Sequence, residues 1–248
     1  MIQAALLLLT AATAPPASIG AEQAERAFAA MAQRDGQWTA FRAFAARDGL
    51  MFAPEPVKAQ AFLAGRENPP VPVMWWPATA ITACDGSLAI STGPWIGAAE
   101  GGTGTFTTVW RRQADGGWKW LLDHGRSTPA FVPAGREVAH MSPDCSSRTE
   151  KTARAQRLAE ETSLAPDRRL AADAVQQREG RMPEKAVRTL ALQPQGALIA
   201  EGRSDDATLA WQAHALKGGK PGAHDLAVWQ WRGADGWRIV LYETIGIE

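Results

Sequence analysis

Asp123 and His124 are the sharpest polar pair in this sequence, side by side after the apolar run Trp118-Lys119-Trp120-Leu121-Leu122. Such a pair suits general acid–base work, because an apolar pocket raises a carboxyl pKa toward that of a useful base. Strand alternation puts Trp118, Trp120, Leu122 and His124 on one face, and Lys119, Leu121 and Asp123 on the other. A regular strand therefore sends only one of the pair into a pocket. The competing reading has both residues ending the strand and making local hydrogen bonds.

Other candidate chemistry is thin. His140 and His224 lie in loop-like sequence, and His214 sits in an expected strand three residues after Trp211. No HxxxH, CxxC or carboxylate–histidine cluster has metal-ligand spacing, so neither a metal nor a cofactor is expected. Gly101-Gly102-Thr103-Gly104 leads into a strand rather than a helix, which does not make a phosphate cradle. Gly218 to Gly222 reads as a hairpin loop, and Ser91 and Ser127 lack the context of a nucleophile elbow. Ketosteroid-isomerase chemistry needs a Tyr beside its acids, and the one Tyr, Tyr242, lies near the C-terminal end. Trp75, Trp76, Trp95, Trp110 and Trp120 can line an aromatic ligand pocket, or fill a core or an interface. Cys84 and Cys145 are either one disulfide or two free thiols. A disulfide there closes roughly sixty residues, worth about 4 kcal/mol in the chain-entropy model.

The composition is that of a folded chain of one large or two ordinary domains: 248 residues, 46% hydrophobic and 21% charged. Lys and Arg total 26 and Asp and Glu total 26, so no basic excess points to nucleic acid. The run Ala4 to Ala14 is too short to span a bilayer and suits the apolar region of an export signal, although Met1-Ile2-Gln3 brings no Lys or Arg. Residues 1–21 are therefore expected to be a signal peptide. The mature chain is then periplasmic or secreted, without stable membrane insertion.

The chain also resembles itself. Val109-Trp110-Arg111-Arg112-Gln113-Ala114-Asp115-Gly116-Gly117-Trp118 matches Val228-Trp229-Gln230-Trp231-Arg232-Gly233-Ala234-Asp235-Gly236-Trp237. In both, Asp-Gly between Trp-bearing β runs signals a hairpin. Upstream, Asp85 matches Asp206, and Arg47-Asp48-Gly49 matches Arg178-Glu179-Gly180. The hairpins align Tyr242 with Asp123 and Glu243 with His124, so the copies do not share an acid–base pair; this favours the local reading of Asp123 and His124. Each half reads as helices followed by strands. Helices are expected over 22–34, 37–47, 151–161 and 166–178. Strands are expected near 73–83, 87–93, 105–112 and 118–124, then near 187–192, 196–203, 208–216, 225–232 and 237–245. Arg126 to Arg148, with Pro129, Pro133 and Pro143, reads as a linker. Helices before an antiparallel meander imply an α+β class.

The run Thr105 to Gly125, with Asp85 to Trp95 before it, resembles the closing hairpin and preceding strand of SnoaL-like, nuclear-transport-factor-2-like domains. This resemblance implies two tandem cone-shaped domains, 22–125 and a divergent 150–248, joined by 126–149. Each would be a curved antiparallel sheet wrapped around N-terminal helices, with an apolar pocket at its open end. The family does not fix the chemistry. Binding of a small apolar or aromatic molecule is the leading expectation. An isomerase, cyclase or dehydratase using Asp123 or His124, and a structural module with filled pockets, are the alternatives. Cones of this family often pair through their sheets. The two halves are therefore expected to form an intramolecular pseudo-dimer with Trp110, Trp120, Trp229 and Trp231 at the contact.

Overall fold

A computed structural model of the chain describes residues 20–97, 102–146, 151–161, 170–185 and 195–247. The apolar run read as an export signal, the strand expected near 187–192 and the helical start expected at Pro166 lie outside these residues.

The chain opens with helices α1 (Ala21–Asp35) and α2 (Gln37–Phe44). Ala21, Ala24, Phe28 and Ala32 recur at helical spacing along α1 and are all buried. Gly36, at φ 99°, ends α1 with a backbone conformation that favours glycine. Next come strands β1 (Ala45–Phe52) and β2 (Pro56–Lys58), short helix α3 (Ala59–Leu63), and strands β3 (Met74–Trp75) and β4 (Thr79–Thr82). Strands β5 (Leu88–Ile96), β6 (Thr103–Arg112), β7 (Trp118–Ser127) and β8 (Ala139–Met141) follow. The second half holds helix α4 (Lys151–Glu161) and strands β9 (Leu170–Arg178), β10 (Glu184–Lys185) and β11 (Gln195–Arg203). It ends in β12 (Leu209–Leu216), β13 (His224–Trp231) and β14 (Trp237–Ile245).

The class is α+β, built on two sheets. One has the order β2-β1-β7-β6-β5-β4-β8, with β3 also on β5; the other runs β10-β9-β14-β13-β12-β11. From β2 to β4 and from β10 to β11 the two orders correspond strand for strand. Both sheets are mixed rather than purely antiparallel, because β1 joins β7, β8 joins β4 and β9 joins β14 in parallel.

Two segments expected as helix are strand. Ala45 to Arg47 opens β1, and Leu170 to Arg178 forms β9. Their apolar residues also suit a helix stripe, but pairing along a hairpin strand, a contact between residues far apart in sequence, decides the outcome. The upstream repeat register also changes. Leu50 pairs with Leu122, and Val175 pairs with Leu241, at corresponding places in the two ladders. Gly49 therefore corresponds to Ala174, not to Gly180. Gly180 is a turn residue with φ 71°, whereas Gly49 lies inside β1.

One irregularity decides the faces of β7. Val109 pairs with Leu122 but Trp110 pairs with Trp120, which leaves Leu121 as an extra residue. Across β13 and β14, Val228 pairs with Leu241 and Trp229 with Ile239, so Val240 is extra at the matching place. The alternation expected along β7 is broken there. Trp118 and Trp120 join the core beneath α1 and α2, while Leu122 joins a core shared by both sheets.

The layers follow from these faces. Phe28 and Ala32 of α1 pack on Trp75, Trp110 and Trp120 of the first sheet. Ile90, Val109 and Leu122 of that sheet meet Leu226, Val228 and Leu241 of the second. On the far face of the second sheet, Trp229, Trp231, Trp237 and Tyr242 form a third core. There the Trp237 indole donates to the Arg157 carbonyl of α4 at 2.8 Å. The tryptophans expected between the sheets are thus on the two outer cores. The contact between sheets is mainly aliphatic, with Trp211 as its buried indole.

The segment read as a linker is structured in part. Arg126 and Ser127 complete β7, and Ala139–Met141 adds β8 to the edge of the first sheet. Cys84 and Cys145 form a disulfide across 61 residues. Next to it the Asp144 N–H donates to the Trp231 carbonyl at 2.9 Å, and Gln230 Nε2 donates to the Met141 carbonyl at 2.9 Å. This strap spans both sheets.

Candidate functional site

On the helix side of the first sheet lies a cavity of about 180 Å³. Its walls come from Gln37 and Phe41 of α2, Val73, Trp75 of β3, Trp95 of β5, Phe106 of β6, and Asp123, His124 and Gly125 of β7. The extra residue Leu121 is the local cause. It shifts the strand phase so that Trp120 and Asp123, three apart, both turn toward the helices, while Leu122 turns away. Gly125 leaves room in the same wall, since a Cβ there would sit 3.3 Å from Trp95 Nε1.

Of the five tryptophans expected at a pocket, Trp75 and Trp95 line this cavity. Trp110 and Trp120 are fully buried in the core behind it. Trp76 points elsewhere, with its ring 6.0 Å from that of Phe131.

Behind the wall sits a carboxylate that the sequence reading missed. Glu25 of α1 is fully buried and accepts hydrogen bonds from Trp75 Nε1 at 2.8 Å, Trp110 Nε1 at 2.7 Å and Ser91 Oγ. Burial pushes its pKa up, against those three bonds. The signal was present in the sequence: Glu25 interrupts the stripe Ala21, Ala24, Phe28, Ala32 of α1. Asp123 accepts from Thr108 Oγ1 at 2.8 Å through Oδ2. Burial, then the charge of Glu25, pushes the Asp123 carboxyl up to about 8, with the Thr108 bond opposing. Asp123 is therefore largely protonated at neutral pH and can both donate and accept a proton there.

His124 is held on the opposite face. Its Nε2 lies 2.7 Å from Glu243 Oε2 and its Nδ1 lies 2.8 Å from His224 Nε2. Both ring nitrogens are engaged, so His124 is not available as a proton shuttle to the cavity. The alignment of His124 with Glu243 becomes a direct contact across the two sheets. Glu243 also accepts from Arg126 Nη1 at 2.9 Å and Thr107 Oγ1 at 2.7 Å. Burial works against ionising Glu243, but Arg126, His124 and Thr107 outweigh it and hold the carboxyl down at about 2. His224 Nδ1 lies 2.7 Å from the Gly222 carbonyl, which can only accept. Burial, then the neighbouring His124, lowers the His224 pKa to about 3, so His224 is neutral near pH 7 and its Nε2 accepts from His124. His224 opens β13 and its ring stacks on Phe52 at 3.5 Å, rather than lying in a loop. His140 is in β8, also not a loop. Among the described residues no group of three or more His, Cys, Asp or Glu is arranged to hold a metal ion.

No protein-family model matches the chain, and no curated protein matches it. Among solved structures, a candidate aromatic ring hydroxylase from Novosphingobium aromaticivorans is similar at 14% identity and a TM-score of 0.34. That match covers 46% of this chain and 90% of the other.

Two pH dependences follow. The folded pKa of Asp123, about 8, exceeds its ordinary 3.8, so the folded state binds more protons than the unfolded between those values. The stability Asp123 contributes is complete below the lower value and is lost as pH rises through the upper. Asp123→Asn, which cannot ionise, is therefore expected to gain urea resistance relative to the parent at pH 9 but not at pH 4. An equal effect at both pH values would exclude a proton-binding Asp123. His224 has the opposite sign. Its folded value of about 3 lies below the ordinary 6.5, so stability is lost as pH falls through that window. Glu243 adds to the loss between 4.5 and about 2. His224→Gln keeps an acceptor for His124 and cannot be protonated. It should flatten the decline in unfolding midpoint between pH 6.5 and pH 4.5, and an unchanged slope would show that His224 is not the sensor.

Proposed function

We propose that this chain is a divergent, tandem SnoaL-like, nuclear-transport-factor-2-like protein that binds a small apolar or aromatic molecule in the cavity between α2 and β7. The observation that carries this reading is the cavity itself: about 180 Å³, walled by Trp75, Trp95, Phe41, Phe106 and Val73, with the Asp123 carboxyl in its lining. An apolar cavity of roughly 150 Å³ is enough to bind benzene. Aromatic walls with few polar groups are the usual makeup of a ligand site. The tandem reading, with cones at 22–125 and 150–248 joined by 126–149, draws support from the strand-for-strand orders and the matching extra residues Leu121 and Val240. The pseudo-dimer reading draws support from the contact of the aligned residues His124 and Glu243.

Acid–base catalysis is the second reading, and it now rests on Asp123 alone. A carboxyl at about 8 gives up and takes a proton in the neutral range, as isomerisation, cyclisation or dehydration requires. A periplasmic or secreted location is part of the proposal; the disulfide supports it, since such bonds persist in oxidising compartments.

Filling the cavity tests the binding reading. Val73→Phe is expected to weaken binding of a single-ring aromatic such as toluene at least tenfold while leaving the far-ultraviolet circular dichroism unchanged. Unaltered affinity in a folded variant would place the ligand elsewhere. The export reading predicts that native protein lacks residues 1–21 and gains about two mass units on reduction. An intact N-terminus with two free thiols would contradict it.

A further inference from the structure

The cavity lining is unbalanced in its hydrogen-bonding groups, and the imbalance says what kind of ring it takes. Gln37 Oε1 accepts the Val73 N–H at 3.0 Å. That bond fixes the amide orientation and leaves the Gln37 NH₂ group as a donor with no partner among the described residues. Trp75 contributes only its ring face, because its N–H is committed to Glu25. The Trp95 N–H has no partner among the described residues and lies against Gly125, itself part of the lining. Asp123 commits Oδ2 to Thr108, which leaves Oδ1 as its second polar atom. With Asp123 protonated, the lining offers donors from three side chains and little to accept in return.

The charges nearby narrow the class further. His124 faces away, toward Glu243, and among the described residues no Lys or Arg lines the cavity. A bound carboxylate would have no cation to pair with and would sit near the buried Glu25 and Asp123. Burying an unpaired charge is costly. A hydrocarbon would leave the Gln37 and Trp95 donors facing apolar atoms, which also costs free energy.

Resting on the binding reading above, we infer that the ligand is a neutral single-ring molecule carrying an acceptor oxygen, a phenol or an aryl carbonyl, held at that oxygen by Gln37, Trp95 and Asp123. A phenol fits either protonation state of Asp123, since its hydroxyl both donates and accepts. An aryl carbonyl fits the protonated state alone, so its binding should weaken as pH rises while that of a phenol changes less.

Titrating the full chain with phenol, benzaldehyde, toluene, benzoate and benzylamine at pH 7 tests this, with the Trp95 indole N–H resonance and calorimetry as readouts. Phenol and benzaldehyde should bind roughly tenfold more tightly than toluene, the equivalent of one net hydrogen bond. Both should shift the Trp95 indole resonance, and benzoate should bind least. Gln37→Met should bring the affinities for phenol and toluene together. If that variant does not fold, the panel on the parent chain remains decisive. Toluene binding as tightly as phenol would overturn the oxygen inference while leaving the cavity reading intact. Benzylamine or benzoate binding more tightly than phenol would overturn it in favour of a charged ligand. Binding of none of the five would overturn the cavity reading as well.

Discussion

The single extra residue Leu121 is the constraint on which the rest of this structure depends. A strand shows its side chains alternately to its two faces, and one unpaired residue reverses that order for everything beyond it. Before Leu121, the odd and even positions of β7 face as a regular strand requires, with Trp118 and Trp120 beneath the helices. Beyond it, Leu122, His124 and Arg126 face the second sheet, while Asp123 faces the cavity. Without the bulge, Asp123 would be driven into the aliphatic contact between the sheets, and His124 would enter the cavity in its place. The separation of an apolar cavity from a charged interface is therefore set by register, not by the identity of the residues alone.

That interface accepts an unusual composition because its polar groups answer one another. Two fully buried ionic side chains, Arg126 and Glu243, lie inside a contact that is otherwise aliphatic. Taking such a pair out of water costs several kcal/mol per ion unless the remaining lone pairs and protons are engaged. Glu243 comes close to full use, with Arg126 and Thr107 on one oxygen and His124 on the other. Arg126 does not, since its Nε and Nη2 are buried without a partner among the described residues. The cluster consequently argues for specificity of the contact rather than for its strength: a sheet shifted by one residue would leave Glu243 unpaired. The turns at the other end of the contact repeat the theme, where the Asp206 N–H donates to Asp85 Oδ2 at 2.8 Å and the Asp205 N–H to Ser87 Oγ at 2.9 Å. Asp85 and Asp206 are residues that the sequence alignment equates, as it does His124 and Glu243.

What was legible in the sequence was local. The hairpins of β6–β7 and β13–β14 were readable because their turns demand particular residues, and Gly116 and Gly236 sit at φ 84° and 68°. Helix α1 was readable from its apolar spacing. Strands β1 and β9 were not, since each is fixed by parallel pairing with a strand more than sixty residues away. The bulge at Leu121 has no signature either, as Leu-Leu suits any regular strand. Missing it misassigned Trp120 and His124 to one face and placed Trp110 and Trp120 at the sheet contact. Asp123, Trp75 and Trp95 of the cavity lining were named from the sequence, whereas Glu25 was missed although it stands as an acid inside an apolar helix stripe, where a charged side chain needs a reason.

The two halves put the same position to different use: the first offers the Asp123 acid to its cavity there, and the second places Tyr242. Tyr242 aligns with Asp123 and likewise follows an extra residue, so it also turns toward the outer core of its own sheet. There its hydroxyl donates to Asp225 Oδ2 at 3.0 Å, and Asp225 also accepts the His214 N–H at 3.0 Å and Gln195 Nε2 at 2.8 Å. A large ring with a fully engaged polar tip fills the space that a short carboxyl leaves open opposite Trp95 and Phe106. The carboxyl on that side is Asp225, with three donors, whereas among the described residues Asp123 has Thr108 as its donor and an acidic neighbour in Glu25. A carboxyl with few donors beside another acid keeps its proton, as Asp123 does. The second half thus fills with a ring the space the first leaves open as a cavity, on strand orders that correspond from β2 to β4 and from β10 to β11.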